Sequence, residues 1–552
     1  MKFNLIDEQW IPALRRDGTK TKITPWEVTD QFKDNPIISL DAPRPDFNGA
    51  LIQFLIGLVQ TVAAPQNGAE WLKKLSEPPA PAELKEKFFA VHHAFELGGD
   101  GPKFMQDFEK LDVDPGGIGG LLIDMPGEST TKKNTDHFVK RDTVFGMCPP
   151  CTAIALYTMQ ANAPAGGQGN RTSLRGGGPL TTLVVGDEHH ETLWQLIWLN
   201  ILEDRVFANI CGNVNLIADC FKFPWLTATR TSEQEESACQ PNDFHPVVMY
   251  WGMPRRIRLN LANLKTGKCD TCGTVSDSLI CQYQQKNFGM NFTGAWLHPL
   301  SPYNAGNSQE PISAHPQPGG VTYRHWLGLV QQDNNEHKMP ARVVHDFINH
   351  RQRSGWQFRL WAFGYDMKNM NARCWYESTM PLFYTAPSFR AEYENLVANM
   401  VKAAVLVGEN LRIALKNSMH GKVVVDSITK KIKWEYRDIK KLPADEEKRR
   451  KKVLFETKGN TALVSAESYF WQNTESKFYA LLADISRSIE QGADQLYFLK
   501  EWHKCLCDEA EKLFDLYSCE VAIEGSDPKR ISLSRKDMQR FNFNKVKNLL
   551  IS

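Results

Sequence analysis

The sequence predicts an α+β protein in two parts: a large mixed N-terminal domain over residues 1–387 and a C-terminal four-helix bundle over residues 388–552. Three observations carry this. The chain has 552 residues, too many for one simple core, and is 42% hydrophobic and 11% aromatic, enough to bury substantial cores. Pro and Gly are frequent up to about Pro387, amid short strand-like runs and long loops, and the texture changes beyond it. Four later stretches carry apolar residues at three- and four-residue spacing, the period of a helix with one buried face.

In chain order, the first helix is predicted over Phe47–Ala64. It contains the most apolar window, Gly49–Ala64, which is interrupted by Gln53 and Gln60 and is shorter than the roughly 18 residues of a membrane span. It reads as a buried helix, and no membrane partner is expected. Thr152–Met159 looks helical, and Thr181–Val185, bounded by Gly178-Pro179 and Gly186, reads as a strand. Leu193–Arg205 and Ala341–Arg351 read as helices, and Trp356–Phe363 as a half-buried strand. The bundle helices are predicted over Phe389–Lys416, Ala462–Glu490, Asp494–Tyr517 and Ser534–Leu550, with a charged loop at Lys440–Lys452.

Formal charge is +1, from 65 basic and 64 acidic residues. That excludes a generally polycationic binder, so any nucleic-acid contact must come from local patches. The opening Met-Lys-Phe-Asn-Leu-Ile-Asp has no signal-peptide layout. The 12 cysteines have no disulfide-framework spacing, which points to a reducing cytoplasm.

Four of those cysteines form two CxxC pairs, Cys148/Cys151 and Cys269/Cys272. Each pair at this spacing can hold two corners of a tetrahedral zinc ion. More than a hundred residues separate the pairs, so closure of a structural Zn2+ site depends on the tertiary fold. The rival reading is a thiol oxidoreductase using Cys148/Cys151 at a helix N-terminus. No clear thioredoxin-like βαβ unit surrounds that pair, and the second CxxC also needs an explanation.

Directly after the first pair, Ala163–Gly178 holds six glycines, two arginines and no acid. A Walker A reading fails because no Gly-Lys-Ser/Thr occurs, and a dinucleotide fingerprint fails because Gly167-Gln-Gly169 lacks the third glycine. A zinc clip beside a loop that can approach a polyanion closely suggests nucleic-acid binding rather than catalysis. His345-Asp346 and His189-His190 have no supporting cluster of carboxylates and histidines, and no Ser/His/Asp arrangement stands out, so no enzyme activity is expected.

The opening Asn4-Leu-Ile-Asp-Glu-Gln-Trp-Ile-Pro12 is followed by Cys151-Thr-Ala-Ile-Ala-Leu156, Leu174-Arg-Gly-Gly177 and the second CxxC. Trp296-Leu-His-Pro-Leu-Ser-Pro302 and a Gly364-Tyr365 turn come next. Each alone is weak, but the ordered set resembles the CasA family, large subunits of the type I-E CRISPR surveillance complex (Cascade). The resemblance implies a non-enzymatic subunit that reads the protospacer-adjacent motif (PAM) of double-stranded target DNA, helps start R-loop formation and recruits the CRISPR helicase–nuclease. Its other partners would be the remaining Cascade subunits and the 5′ end of the crRNA.

The resemblance also implies roles for particular residues. Gly166, Gly167, Gln168 and Gly169 match the family's glycine loop, which enters the minor groove at the PAM, with Arg171 and Arg175 expected to neutralise flanking phosphates. Gln168 interrupts the glycine run. In Gln284-Gln-Lys-Asn-Phe288 the family has a lysine just before the aromatic; here Asn287 stands there and Lys286 precedes it. Met370 and Asn371, just before Ala372, match a wedge at a hairpin tip that splits the first base pair. Leu122, Ile123 and Asp124 match a loop that docks at the guide RNA end, followed by an insert holding Lys132, Lys133, Lys140 and Arg141. The bland alternatives are a solvated strand edge and ordinary loops, giving a zinc-stabilised scaffold without DNA contact.

Overall fold

Helix α1 (Pro45–Val62) organises the N-terminal part. Pro45 sits in its first turn, where the missing N–H costs nothing, and fourteen of its residues are buried around the whole circumference. Phe54 alone makes edge contacts with Trp10, Phe95, Phe104, Tyr157 and Trp251 at centroid distances of 5.3–6.0 Å. The two glutamines that interrupt the apolar run are satisfied inside the core. Gln53 donates to the Gly49 carbonyl at 2.7 Å, and Gln60 exchanges two bonds with the Leu202 backbone.

The computed structural model describes residues 1–125, 143–186, 191–234, 237–305, 310–331, 337–353, 355–368, 371–420, 423–425, 432–434, 459–520 and 527–551. The chain divides into two compact units. One comprises Met1–Val321, Gly328–Gln352 and Gln357–Leu382; the other comprises Thr322–Leu327, Arg353–Trp356 and Phe383–Ser552. The first is mixed α and β, and the second is a C-terminal helical region. Among the described residues no helix is long and apolar enough to cross a membrane.

In the first unit, helix α2 (Pro149–Asn162) extends the predicted helix by three residues at each end. Strand β1 (Thr181–Val185) is fully buried and lies where the sequence predicts it. Strands β2 (Arg256–Leu259), β3 (Lys265–Lys268), β4 (Val275–Leu279) and β5 (Gln282–Lys286) follow. β3 and β4 form an antiparallel hairpin; β5 lies between β2 and a short Gly116–Gly117 strand. Strands β6 (Phe358–Lys368) and β7 (Asn371–Leu382) make a long hairpin whose β6 also pairs with β1.

Two helices differ from expectation. Leu193–Arg205 is not continuous: one helix ends at Leu199 and another starts at Asp204. Asn200 breaks it, because its side-chain amide exchanges two 2.8 Å bonds with the Val184 backbone of β1. Ala341–Arg351 is α-helical over Arg342–Asp346 and then widens into a π turn over Phe347–Arg351, which brings Arg351 to 2.9 Å from Asp346. The β6 strand begins at Phe358 rather than Trp356 and continues to Lys368.

The helical unit contains α3 (Arg390–His420), α4 (Gly459–Glu490), α5 (Leu496–Glu520) and α6 (Pro528–Phe541). Trp502 of α5 is fully buried and donates to the Met400 carbonyl of α3 at 3.0 Å. Tyr323 stacks on Phe478 of α4 at 4.4 Å. The last helix starts earlier than predicted, since Asp527 caps it by accepting from the Lys529 and Arg530 amides, and a π turn follows over Asn542–Val546. The Lys440–Lys452 loop, His189-His190 and the insert lysines lie outside the described residues.

Candidate metal centre and nucleic-acid interface

Cys148 occupies the N-cap of α2 and Cys151 its first turn, with Pro149 and Pro150 setting the helix entry. The β3–β4 hairpin brings the other pair. Its turn is closed by the Gly273 amide to the Cys269 carbonyl at 2.9 Å, with Gly273 at φ +74, where a side chain would be strained. The two segments are zipped together. Met147 and Ile280 exchange backbone bonds at 3.0 and 2.8 Å, and the Asp270 carboxylate accepts from the Phe145 and Gly146 amides at 2.8 Å each.

All four Sγ atoms lie within 4.8 Å of one another. Cys148 Sγ is 3.7 Å from Cys272 Sγ, which suits the edge of a tetrahedron with metal–sulfur bonds of about 2.3 Å. The Cys148 amide donates to Cys269 Sγ at 3.3 Å. Among the described residues this is the one His/Cys/Asp/Glu group able to hold a metal ion. The thiols polarise each other. Cys148, Cys269 and Cys272, then burial, push the Cys151 thiol far up, while hydrogen bonds from Cys148 and Cys151 hold Cys269 down. Cys272 is lowered to about 5, first by Cys151. The hairpin pair is thus the side on which negative charge is favoured, and a cation at the centre would favour the thiolate form of all four. For redox work the first pair is poorly placed. The Cys151 hydrogen bond lowers Cys148, but Cys269 and burial more than offset it and leave Cys148 pushed up to about 12.

The glycine loop begins where α2 ends. Gly166 bridges Asn170, and Gly167 and Gly169 take φ +43 and +75, so the chain turns back on itself over three residues. The turn docks on the end of β5. The Gly169 carbonyl accepts from the Phe288 amide at 2.7 Å, and the Gln168 carbonyl accepts from Asn287 Nδ2 at 2.8 Å. A Cβ on Gly169 would stand 2.9 Å from Phe288 Cδ1 and 3.1 Å from Asn287 Cβ. At Gly167 the nearest atom would be Asn170 Nδ2 at 3.8 Å. Gly169 is therefore needed for close approach within the protein, whereas a Cβ on Gly167 would make only an ordinary contact. Gly167, Gln168, Lys286 and Asn287 are all exposed. Two segments singled out separately in the sequence thus form one surface.

The two loop arginines part company. Arg171 is half-buried and donates to Ser232 Oγ and O at 2.8 and 3.0 Å; the Ser232 amide in turn donates to the Phe288 carbonyl. Arg175 is 6% exposed and belongs to the core, donating to Gln53 Oε1, Thr181 Oγ1 and Ser301 Oγ. The expectation that Arg175 neutralises a phosphate is corrected: three neutral oxygens hold its guanidinium inside.

The β6–β7 hairpin ends in the pair Lys368↔Asn371, with a register shift after Asp366. Asn371 is exposed and Ala372 half-buried; Met370 lies outside the described residues. The hairpin meets the far end of the glycine loop, where a Cβ on Gly178 would stand 2.8 Å from Met367 Cγ. In the predicted guide-end loop, Leu122 and Ile123 are 4% and 5% exposed and point into the core, leaving only Asp124 exposed. Arg44 holds Asp124 at 2.9 Å and also pairs with Asp46, which accepts from the Tyr365 hydroxyl of β6. Sequence reasoning missed Asn170, Ser232 and Arg255, which hold the loop; the signals available were only a polar residue ending a glycine run and an Arg-Arg pair after Pro254.

Comparison with known proteins gives one consistent result. The family model for the CRISPR-associated protein Cse1 matches residues 4–513. Among solved structures, Cse1 from Acidimicrobium ferrooxidans is similar with a TM-score of 0.68 at 15% identity, covering 100% of this chain and 99% of that one. Cse1 from Thermobifida fusca gives 0.68 at 16% identity, covering 100% and 98%. A chain of a CRISPR RNA-guided surveillance complex gives 0.65 at 14% identity, covering 98% and 100%.

Proposed function

The chain belongs to the Cse1 (CasA) family, and from that premise we propose that it is the large subunit of a type I-E RNA-guided surveillance complex that reads the PAM of double-stranded DNA and starts its opening. The single observation that carries the reading is the joined surface of Gly166–Gly169 with Lys286 and Asn287. A turn without side chains lets backbone groups reach base edges in the narrow minor groove, which distinguishes A·T from G·C and little more. Lys286 brings positive charge to that surface, and Arg171 stands beside it at Ser232.

The hairpin tip at Met370, Asn371 and Ala372 then acts below the PAM, wedging the first base pair apart. Sequence beyond the PAM is read by RNA pairing. Asp124 and the segment after it meet the guide RNA end and neighbouring subunits. The C-terminal helices form a four-helix bundle that supports the DNA and offers a surface to the helicase–nuclease. The protein is cytoplasmic and catalyses no reaction itself. The four cysteines hold a structural zinc ion; when bound, it supplies a rigid cross-link between the start of α2 and the β3–β4 hairpin. A PAM-library binding assay with the reconstituted complex tests the reading. Gly167→Asp places bulk and negative charge on the exposed face and should lower PAM-dependent binding by about 1–3 kcal/mol. Unchanged binding removes the loop from the groove.

A further inference from the structure

Beneath the exposed turn of the glycine loop lies Arg255, 5% exposed. Its Nη1 donates to Asn170 Oδ1 at 2.6 Å, and its Nη2 donates to the Pro164 carbonyl. Pro164 and Asn170 are the two ends of the segment that carries Gly166–Gly169, so one planar guanidinium spans its base. Asn170 Oδ1 also accepts from Gln285 Nε2 of β5 at 3.3 Å. The fork itself is rigidly mounted. Gln160 of α2, fully buried, accepts from the Arg255 amide and donates to its carbonyl, both at 2.9 Å.

This is an expensive way to hold a core. Arg255 Nε has no hydrogen-bond partner, and among the described residues no carboxylate pairs with the guanidinium; Asp107 is taken by the neighbouring Arg256. Burial lowers its pKa to about 10, so it stays charged at neutral pH. Burying a cation without a counter-charge opposes folding, and a neutral side chain would fill the space without that cost. What an arginine provides is a flat, five-donor fork that fixes two acceptors in one plane. What the missing carboxylate provides is an uncancelled positive charge behind the turn, favourable to an approaching phosphodiester backbone.

We infer that Arg255 is the positioning residue of the glycine loop: bridging Pro164 and Asn170, it fixes the Gly166–Gly169 turn in the shape presented to duplex DNA. This deepens the proposed PAM-reading role of the loop and rests on it. The bridge offsets part of the entropy cost of ordering a glycine-rich turn against β5.

The test uses the reconstituted complex carrying Arg255→Met, Asn170→Ala or both. Hydrogen exchange of amides 165–171 is read without DNA, and binding is read on duplexes with and without a PAM and on a target premelted beside the PAM. Each single substitution is expected to raise exchange in 165–171 at least tenfold and to cut the PAM/non-PAM affinity ratio at least fivefold. Binding to the premelted target should stay within twofold, and the loss in the double variant should be clearly less than the sum of the single losses, because the two residues share the Arg255–Asn170 bond while Arg255 also holds Pro164. Additive losses, or unchanged exchange in Asn170→Ala, overturn the inference. If Arg255→Met fails to assemble, Asn170→Ala decides, read against Gln285→Ala, which removes the other bond to Asn170 Oδ1 and should leave exchange unchanged; an equal rise in Gln285→Ala overturns the inference. Gly167→Asp runs in parallel: if it leaves the PAM ratio unchanged, the DNA-contact reading fails, while the exchange data still judge the bridge.

Discussion

The Gly169 carbonyl accepts a 2.7 Å hydrogen bond from the Phe288 amide, joining a loop and a strand end more than a hundred residues apart in the chain. Phe288 itself adopts φ +63, an uncommon conformation for an aromatic, and Gly169 sits opposite at φ +75. Two left-handed residues facing each other mark a junction whose shape is held by its surroundings.

The junction predicts a difference between two neighbouring glycines. Gly169→Ala meets both a positive φ and Phe288 at 2.9 Å, whereas Gly167→Ala meets only the positive φ. Gly167→Ala should cost about 1–2 kcal/mol of local backbone strain, and Gly169→Ala more. Urea unfolding of the N-terminal signal checks the order. Equal costs would mean Phe288 moves aside freely.

Zinc should be structural. Elemental analysis of the purified protein should give one zinc per chain, with four thiols unreactive until denaturation. Cys148→Ser leaves three sulfur ligands and should lower the melting temperature, because a structural metal contributes folding free energy directly. A metal-free, fully folded preparation with those four thiols reactive would contradict this.

Stability should fall in mild acid through buried His298 and the half-buried His245 and His315. Burial, then the Arg175 cation, holds His298 well below its usual range, and burial lowers His245 and His315 as well. The unfolded chain protonates these groups near pH 6.5 while the folded chain does not, so the unfolded state binds more protons. Their contribution is complete above about pH 6.5 and is lost as pH falls, at about 1.4 kcal/mol per pH unit for His298. Urea midpoints at pH 7.5 and 5.5 measure the slope. His298→Asn, which retains an acceptor for the Leu300 amide, should flatten it; an unchanged slope would contradict the assignment.

The hairpin tip should open DNA rather than find it. Truncating Met370 and Asn371 to Ala should slow R-loop formation on linear duplex, with a smaller defect on negatively supercoiled or premelted targets. Stopped-flow fluorescence on the three substrates separates the steps. Equal defects on all three would assign the tip another task.

Much of this was legible from periodicity. α1 and the long C-terminal helices follow apolar spacing, and the CxxC pairs announce their own partnership. What was hidden depends on contacts distant in sequence. Asn200 ends a helix because Val184 lies beside it, and nothing local marks that. Arg175, set in a glycine run, reads as a solvated cation, but Gln53, Thr181 and Ser301 converge on it from separate segments. Leu122 and Ile123 read as part of a docking loop, yet apolar side chains at its root serve the core. The apposition of Gln168 and Asn287 is likewise a property of the fold alone.

The central claim is that the Gly166–Gly169 turn and the end of β5 form one PAM-reading surface. Selection of bound duplexes from a randomised PAM library, by complexes containing the parent chain, Gly167→Asp or Asn287→Ala, tests it most directly. The account predicts a defined PAM preference for the parent, its loss with Gly167→Asp and a shifted preference with Asn287→Ala. Identical preferences and affinities for all three would contradict it.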